Sequence, residues 1–200
     1  MFMLEGNVFR SNLTGVVLMG GQSSRMGFDK SSISINNRLL YQRAADLLNP
    51  FCHQIILSVN ANQANGLNDE YPVVIDIYKA QGPMGGILSC YEAGYDMLLV
   101  LAVDLVNIGT KEINKILELY QLNQGRCTMY YNVNNSRYEP MLSIWPSKVL
   151  KKLKICFDKG ERSLHRFLKN ESVNLCSVDD EMPFVNINTK GELSSWLSND

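Results

Sequence analysis

Two hundred residues, 46% of them hydrophobic and 20% charged, carry a formal net charge of −1. That balance excludes a disordered chain, supports a sizeable core, and removes any global electrostatic case for nucleic acid or an anionic membrane. Any anion site must therefore be local. The five cysteines, Cys52, Cys90, Cys127, Cys156 and Cys176, are far apart and form no CxxC pair. They argue against a disulfide framework or a zinc site and read as buried thiols of a reducing compartment. No apolar run reaches the ~18 residues of a spanning helix, and none has signal-peptide length. The chain is expected to be cytoplasmic and to form a single domain over residues 1–200.

Residues 1–13 show no clear period. Thr14–Met19 is a strand candidate built on the apolar run Val16-Val17-Leu18, two of them β-branched. It breaks into Gly20-Gly21, followed by Ser23, Ser24, Arg25, Gly27, Asp29 and Lys30. A buried strand ending in two glycines can turn successive N–H groups toward an anion, with Arg25 as a fork and Lys30 as a point charge. The plain alternative is a glycine turn with solvated charges. The stretch is neither a Walker A loop nor the G-x-G-x-x-G fingerprint.

Ser32 to Ile35 alternates at period two, and Asn36-Asn37 supplies a turn. Leu40, Ala44, Leu47 and Leu48 recur at helical spacing, with Pro50 as the stop. Gln54–Val59 predicts a second buried strand, ending at Asn60, and Tyr71–Ile75 a third, ending at Asp76. A second glycine cluster runs from Gly82 to Gly86, and Ile87 to Ala93 predicts a helix after it. Met97–Val103 is the most apolar run in the chain and suits a central strand covered on both faces, with Asp104 at its exit. Thr110 is a cap candidate for a helix with Ile113, Ile116, Leu117 and Tyr120 on one face.

The second half predicts strands at Arg126–Tyr131 and Tyr138–Ile144, with Asn134 to Ser136 as the turn and Pro140 at an edge or start. A helix follows Pro146, then a short one around Leu164 to Leu168, a strand at Val173–Val178, and a last helix from Thr189 to Leu197. Strand–helix alternation of this kind predicts an α/β fold with a mostly parallel sheet. Ligands of such folds bind outside the carboxyl ends of the strands. Gly20-Gly21, Asn60, Asp76 and Asp104 all fall at predicted strand ends.

Asp104 follows seven apolar residues, and a carboxylate there can hold Mg²⁺, which binds through one or two carboxylates plus substrate phosphates. Asp76 can ligate a metal, accept from a base or ribose, or simply cap its loop. Asn60 both donates and accepts, which suits nucleoside reading and equally suits a turn. Gly82 to Gly86 is either a close-approach loop or a helix-entry turn with Pro83 pre-setting φ. His53 and His165 have no metal-ligand spacing, and no nucleophile arrangement is present. Phosphate-cradling amides, two cations and a metal carboxylate without a protein nucleophile fit direct transfer at phosphorus.

At this level the stretch Gly15–Lys30, GVVLMGGQSSRMGFDK, resembles the signature of the molybdenum cofactor guanylyltransferases. The resemblance continues through Ser58–Asn62, Val73–Asp76, Gly82–Ile87, Asp104, Arg137–Trp145, Gly160–Leu168 and Phe184–Leu193. It implies a three-layer α/β/α sandwich, a Rossmann-like, mostly parallel sheet with one antiparallel strand, of the nucleotide-diphospho-sugar transferase type. It implies transfer of GMP from Mg-GTP to the terminal phosphate of molybdopterin, with release of pyrophosphate. Leu18, Met19, Gly20 and Gly21 would meet guanine through the backbone. Lys30 would bind phosphates with Arg25 in support, Asn60 and Asp76 would contact the nucleoside, and Asp104 would hold Mg²⁺. Glu139-Pro140, Arg162 and Asn186 to Asn188 would face the pterin. Partners implied are GTP, molybdopterin cofactor, other cofactor-synthesis proteins and target molybdoenzymes. Related cytidylyl or sugar-phosphate transferases, and a catalytically weak nucleotide binder, are the alternatives. Gly20-Gly21, where the cytidylyltransferase relatives carry Ala-Gly, favours guanine. Met19 stands where the family has alanine, and Asp104-Leu105-Val106 lacks the family's D-x-P proline, which predicts a less constrained loop there.

Overall fold

In this computed structural model the residues described are 12–19, 33–35, 37–67, 70–178 and 181–185. The continuous apolar runs become the inner strands of a sheet. In chain order the first half holds β1 (Thr14–Leu18), β2 (Ser34–Ile35), β3 (Arg38–Leu39), α1 (Leu40–Leu48), β4 (Gln54–Val59), α2 (Ala61–Ala64), β5 (Val73–Ile75) and α3 (Gly82–Glu92). The second half holds β6 (Met97–Ala102), α4 (Thr110–Leu122), β7 (Cys127–Asn132), β8 (Arg137–Pro146), α5 (Ser147–Asp158), α6 (Leu164–Lys169) and β9 (Val173–Ser177).

Seven strands pair in the order β5-β4-β1-β6-β8-β7-β9, and β2 and β3 form a separate hairpin. β1 lies parallel to β4 and β6, β4 to β5, and β7 to β9. β8 alone runs against its neighbours β6 and β7. The sheet is thus mostly parallel with one antiparallel strand, as expected.

Period-two alternation sends side chains to two cores. Val17, Ile55, Leu57, Val59, Leu99 and Leu101 join Ala45 and Leu48 of α1 and Ile113 and Ile116 of α4. Val16, Leu18, Ile56, Leu98 and Val100 join Ile87 of α3 and Leu150 of α5 on the opposite face. A strand buried on both faces needs no polar alternation, which is why these runs read as unbroken hydrophobics. Four cysteines are buried and Cys156 partly so, all as free thiols. Among the described residues no helix is long and apolar enough to cross a membrane.

Three local expectations change. The helix expected from Ile87 starts at Gly82, because α3 needs a bare backbone in its first turns. An added Cβ would sit 2.7 Å from the Tyr78 carbonyl oxygen at Gly85 and 2.8 Å from Ser58 Oγ at Gly86. Pro140 lies within β8, where the pairing with β7 shifts register between Met129 and Tyr130. Such an irregularity frees a strand proline from the ladder. Thr110 is the first residue of α4, not its cap; Gly109 precedes it and its N–H donates to Glu112 Oε2 at 3.0 Å. The helix expected from Thr189 to Leu197 lies outside the described residues.

Candidate functional site

From β1 the chain moves outward to β4 and β5, then crosses back to lay β6 on the other flank of β1. The strand order reverses between β1 and β6, and a crevice at such a reversal is where open α/β sheets take ligands. The ladder runs on past the strand ends. Met19 N–H donates to the Ser58 carbonyl at 2.9 Å, Val103 N–H to Leu18 at 3.0 Å, and Asp76 N–H to Val59 at 2.8 Å. These bonds fix the exits of β1, β4, β5 and β6 relative to one another. Met19, Asn60, Asp76 and Asp104 therefore share one edge of the sheet.

Met19 is buried, with its side chain in the core cluster on the α1 face. Its carbonyl accepts from Gln63 Nε2 at 3.3 Å. A carbonyl has two lone pairs, so an oxygen already accepting one bond can accept a second. The Asn60 side-chain oxygen caps α2, accepting from Asn62 N–H at 2.9 Å and Gln63 N–H at 3.1 Å. Gln63 returns the bond, accepting from Asn60 N–H at 3.1 Å. The Asn60 amide nitrogen is not used by this cap.

Asp76 is partly buried at this edge. Burial pushes its carboxyl above the ordinary range, and the hydrogen bond from Ser58 Oγ, 2.8 Å to Oδ1, pulls partly back. Ser58 is completely buried. The folded state thus binds the Asp76 proton more tightly than the unfolded chain does. The stability associated with this group is fully present below about pH 4 and is lost as pH rises through the higher folded value. Asp76→Asn is therefore expected to melt at a higher temperature than the native protein at pH 7. The gap should close as pH falls toward 4 in a thermal-unfolding series. Nearby, burial together with the Asp76 charge pushes the Cys90 thiol up to about 12, so it stays protonated and inert.

Asp104 sits in the turn after β6, partly buried. Without the family's proline, the turn is held by apolar anchors. Val103, Leu105 and Ile108 are all buried, and Leu105 N–H and Ile108 N–H close turns onto Ala102 and Leu105 at 3.2 and 3.3 Å. Among the described residues no group of three or more His, Cys, Asp or Glu forms a metal cluster. Gly82 opens α3 with φ +57°, directly beyond Ala80 at φ +58° and Gln81. Both positions hold the left-handed backbone that turns the chain from Asp76 into the helix.

Past its pairing with β6, β8 continues beside β7 alone. Glu139 stands there, half-buried, its carboxyl raised by burial although Arg137 draws it back down. The ring of Tyr138 meets those of Tyr131 and His165 edge to face at 5.3 and 5.2 Å. The Arg162 guanidinium lies 4.0 Å over the Phe157 ring and donates to the Phe157 carbonyl, at the C-terminal turn of α5 where a cation is favoured.

Of the residues singled out by sequence, the structure gathers Met19, Asn60, Asp76 and Asp104 at one edge and puts Gly82 at the start of α3. Gly20, Gly21, Arg25, Lys30 and Asn186 to Asn188 lie outside the described residues. The sequence assigns no individual role to Ser58, which enters only as the start of the Ser58–Asn62 motif, or to Gln63. The signal for Ser58 is its hydroxyl inside the otherwise apolar run Ile55 to Val59; for Gln63 it is the N3 position after Asn60, where a capping box forms.

Comparison with known proteins bears on what this edge does. The family model of the MobA-like NTP transferase domain matches residues 15–175. A molybdenum cofactor guanylyltransferase of Cereibacter sphaeroides is 28% identical over 187 residues, covering 91% of this chain and 94% of its own. The crystal structure of molybdopterin-guanine dinucleotide biosynthesis protein A from Archaeoglobus fulgidus superposes with a TM-score of 0.77 at 19% identity, covering 93% of this chain and 97% of its own. A 4-diphosphocytidyl-2C-methyl-D-erythritol synthase of Anaerococcus prevotii shares the fold at TM-score 0.69 and 8% identity, covering 94% of this chain and 96% of its own.

Proposed function

The chain belongs to the MobA-like NTP transferase family, and on that premise we propose that this nucleotidyltransferase moves GMP from Mg-GTP to the terminal phosphate of molybdopterin cofactor. The acceptor phosphate oxygen attacks the α-phosphorus, the bond to the β-phosphate oxygen breaks, and pyrophosphate leaves. The observation that carries this reading is the placement of Asp76 and Asp104 on either flank of the β1 exit, where the strand order reverses. The name of the Cereibacter relative, matched over nearly the whole chain, supports guanine and the molybdenum cofactor as the two substrates.

In this reading Leu18, Met19, Gly20 and Gly21 read the base through backbone groups. Asn60, through its amide nitrogen, and Asp76 hold the nucleoside. Gly82 lets the start of α3 come close, and Lys30 with Arg25 neutralises the phosphates. Glu139, Arg162 and Asn186 to Asn188 face the pterin. Asp104 is the magnesium residue, and a partly buried carboxylate on a pinned turn fits an ion that takes the rest of its shell from phosphates and water. When bound, the ion offsets the charge that develops on the α-phosphate and the leaving pyrophosphate. The protein works mainly by positioning and electrostatics, as one domain, in the cytoplasm. It passes its product to other cofactor-synthesis proteins or to molybdoenzymes.

Pyrophosphate release from GTP, CTP and ATP against molybdopterin tests the reading. GTP should lead by at least about a hundredfold in kcat/KM, the scale of discrimination that polar readout gives. Equal use of CTP would make the chain a cytidylyltransferase. Tight GTP binding without turnover would make it a nucleotide-binding relative.

A further inference from the structure

We propose that Ser58 is a positioning residue for nucleotide binding, holding the Asp76 carboxylate through Oδ1 so that Oδ2 is left for the ligand. This rests on the reading of Asp76 as a nucleoside contact. Ser58 is the one hydroxyl in β4, and it is completely buried. A buried hydroxyl is costly unless bonded. Ser58 Oγ spends its proton on Asp76 Oδ1 at 2.8 Å. Its carbonyl accepts the Met19 N–H at 2.9 Å. In register it stands between Leu18 of β1 and Val74 of β5. A single residue therefore ties the exit of β1 to the acid at the exit of β5.

The facing helix is shaped around this bond. A Cβ on Gly86 would lie 2.8 Å from Ser58 Oγ, 3.0 Å from Leu18 Cδ2 and 3.5 Å from Asp76 Oδ1. The bare backbone leaves room for the hydroxyl and the carboxylate and for little else. With the Asp76 N–H held by Val59 at 2.8 Å, both ends of the aspartate are fixed. Oδ1 is taken by Ser58, so the other oxygen serves a ligand. Had the role of Ser58 been to fill space alone, alanine or valine would do so without a buried polar group.

The test measures Kd for Mg-GTP and the KM and kcat for GTP in Ser58→Ala, Ser58→Cys, Asp76→Ala and the double variant Ser58→Ala/Asp76→Ala. Ser58→Ala should weaken GTP binding and raise KM about tenfold, the scale of one hydrogen bond to a charged group. Its kcat should stay within about twofold, because what is lost is binding common to ground and transition states. Ser58→Cys, a weaker donor of similar size, should fall between. Adding Ser58→Ala to Asp76→Ala should cost no further affinity, since the serine acts only through the aspartate. Native GTP affinity in Ser58→Ala, or an equal further loss in the double variant, overturns the proposal. A loss in Asp76→Ala with none in Ser58→Ala removes the serine's role alone. Native affinity in Asp76→Ala removes the nucleoside reading of Asp76 and this proposal with it.

Discussion

Asp104→Ala is expected to lower pyrophosphate release from Mg-GTP by about a thousandfold, the loss typical of removing a group that stabilises developing charge. The variant should still fold and melt cooperatively, as a substitution outside the core. The separation follows from how the turn is built. Its hold on the fold comes from Val103, Leu105 and Ile108, which are buried, and from the turn bonds to Ala102 and Leu105. The carboxylate contributes its charge at a partly buried position on that frame. Asp104→Asn keeps the shape and loses the charge, so it should fall nearly as far as alanine. Turnover within tenfold of native in both variants would move the magnesium role away from Asp104.

Trp145→Ala should cost about 3–5 kcal/mol, the range for deleting a buried aromatic. In a domain of this size that lowers the melting temperature by about 6–20 °C. Trp145 is completely buried, sits opposite Leu98 across the antiparallel pair, and stacks on Phe167 with ring centroids 6.5 Å apart. Its indole N–H donates to Ser143 Oγ at 2.7 Å, and that hydroxyl donates to the Pro140 carbonyl at 2.6 Å. Truncation leaves a cavity between β8 and α6 and loosens the chain of bonds that shapes the irregular stretch beside Glu139. Circular dichroism melts of Trp145→Ala and Trp145→Phe check this. The phenylalanine variant, which refills most of the volume, should recover the larger part of the loss. A melting shift under about 3 °C for alanine would show that the site collapses without cost.

The features legible in the sequence were those carried by a single segment. Gln54–Val59 has the same bounds in the structure as in its apolar run, and Asp76 and Asp104 were visible as acids at strand exits. What escaped depends on pairs of segments. Gly82 to Gly86 looks like a loop by propensity, yet it is helix. Its glycines are there for contacts with Tyr78 and Ser58, which belong to other elements. The break within β8 arises because Leu142 to Pro146 pairs with β6 while Arg137 to Glu139 pairs only with β7. Ser58 was in plain view as a polar residue in an apolar run, but its partner lies on another strand. Gly20, Gly21, Arg25 and Lys30, proposed above to read the base and neutralise phosphates, lie outside the described residues and are argued from sequence alone.

The central place of β1 also sets the order in which the molecule can be assembled. Thr14 is translated before either of its sheet partners, Gln54 and Leu98. β1 leaves the ribosome before both of its partners and is closed on both edges only after β6 has been made. Until β6 emerges, one edge of a strand that is fully buried in the native fold stays open to other chains, a hazard of distant parallel pairing. Nascent chains halted before Met97 should therefore be the aggregation-prone species, and the crevice that depends on β6 exists only once that strand has docked.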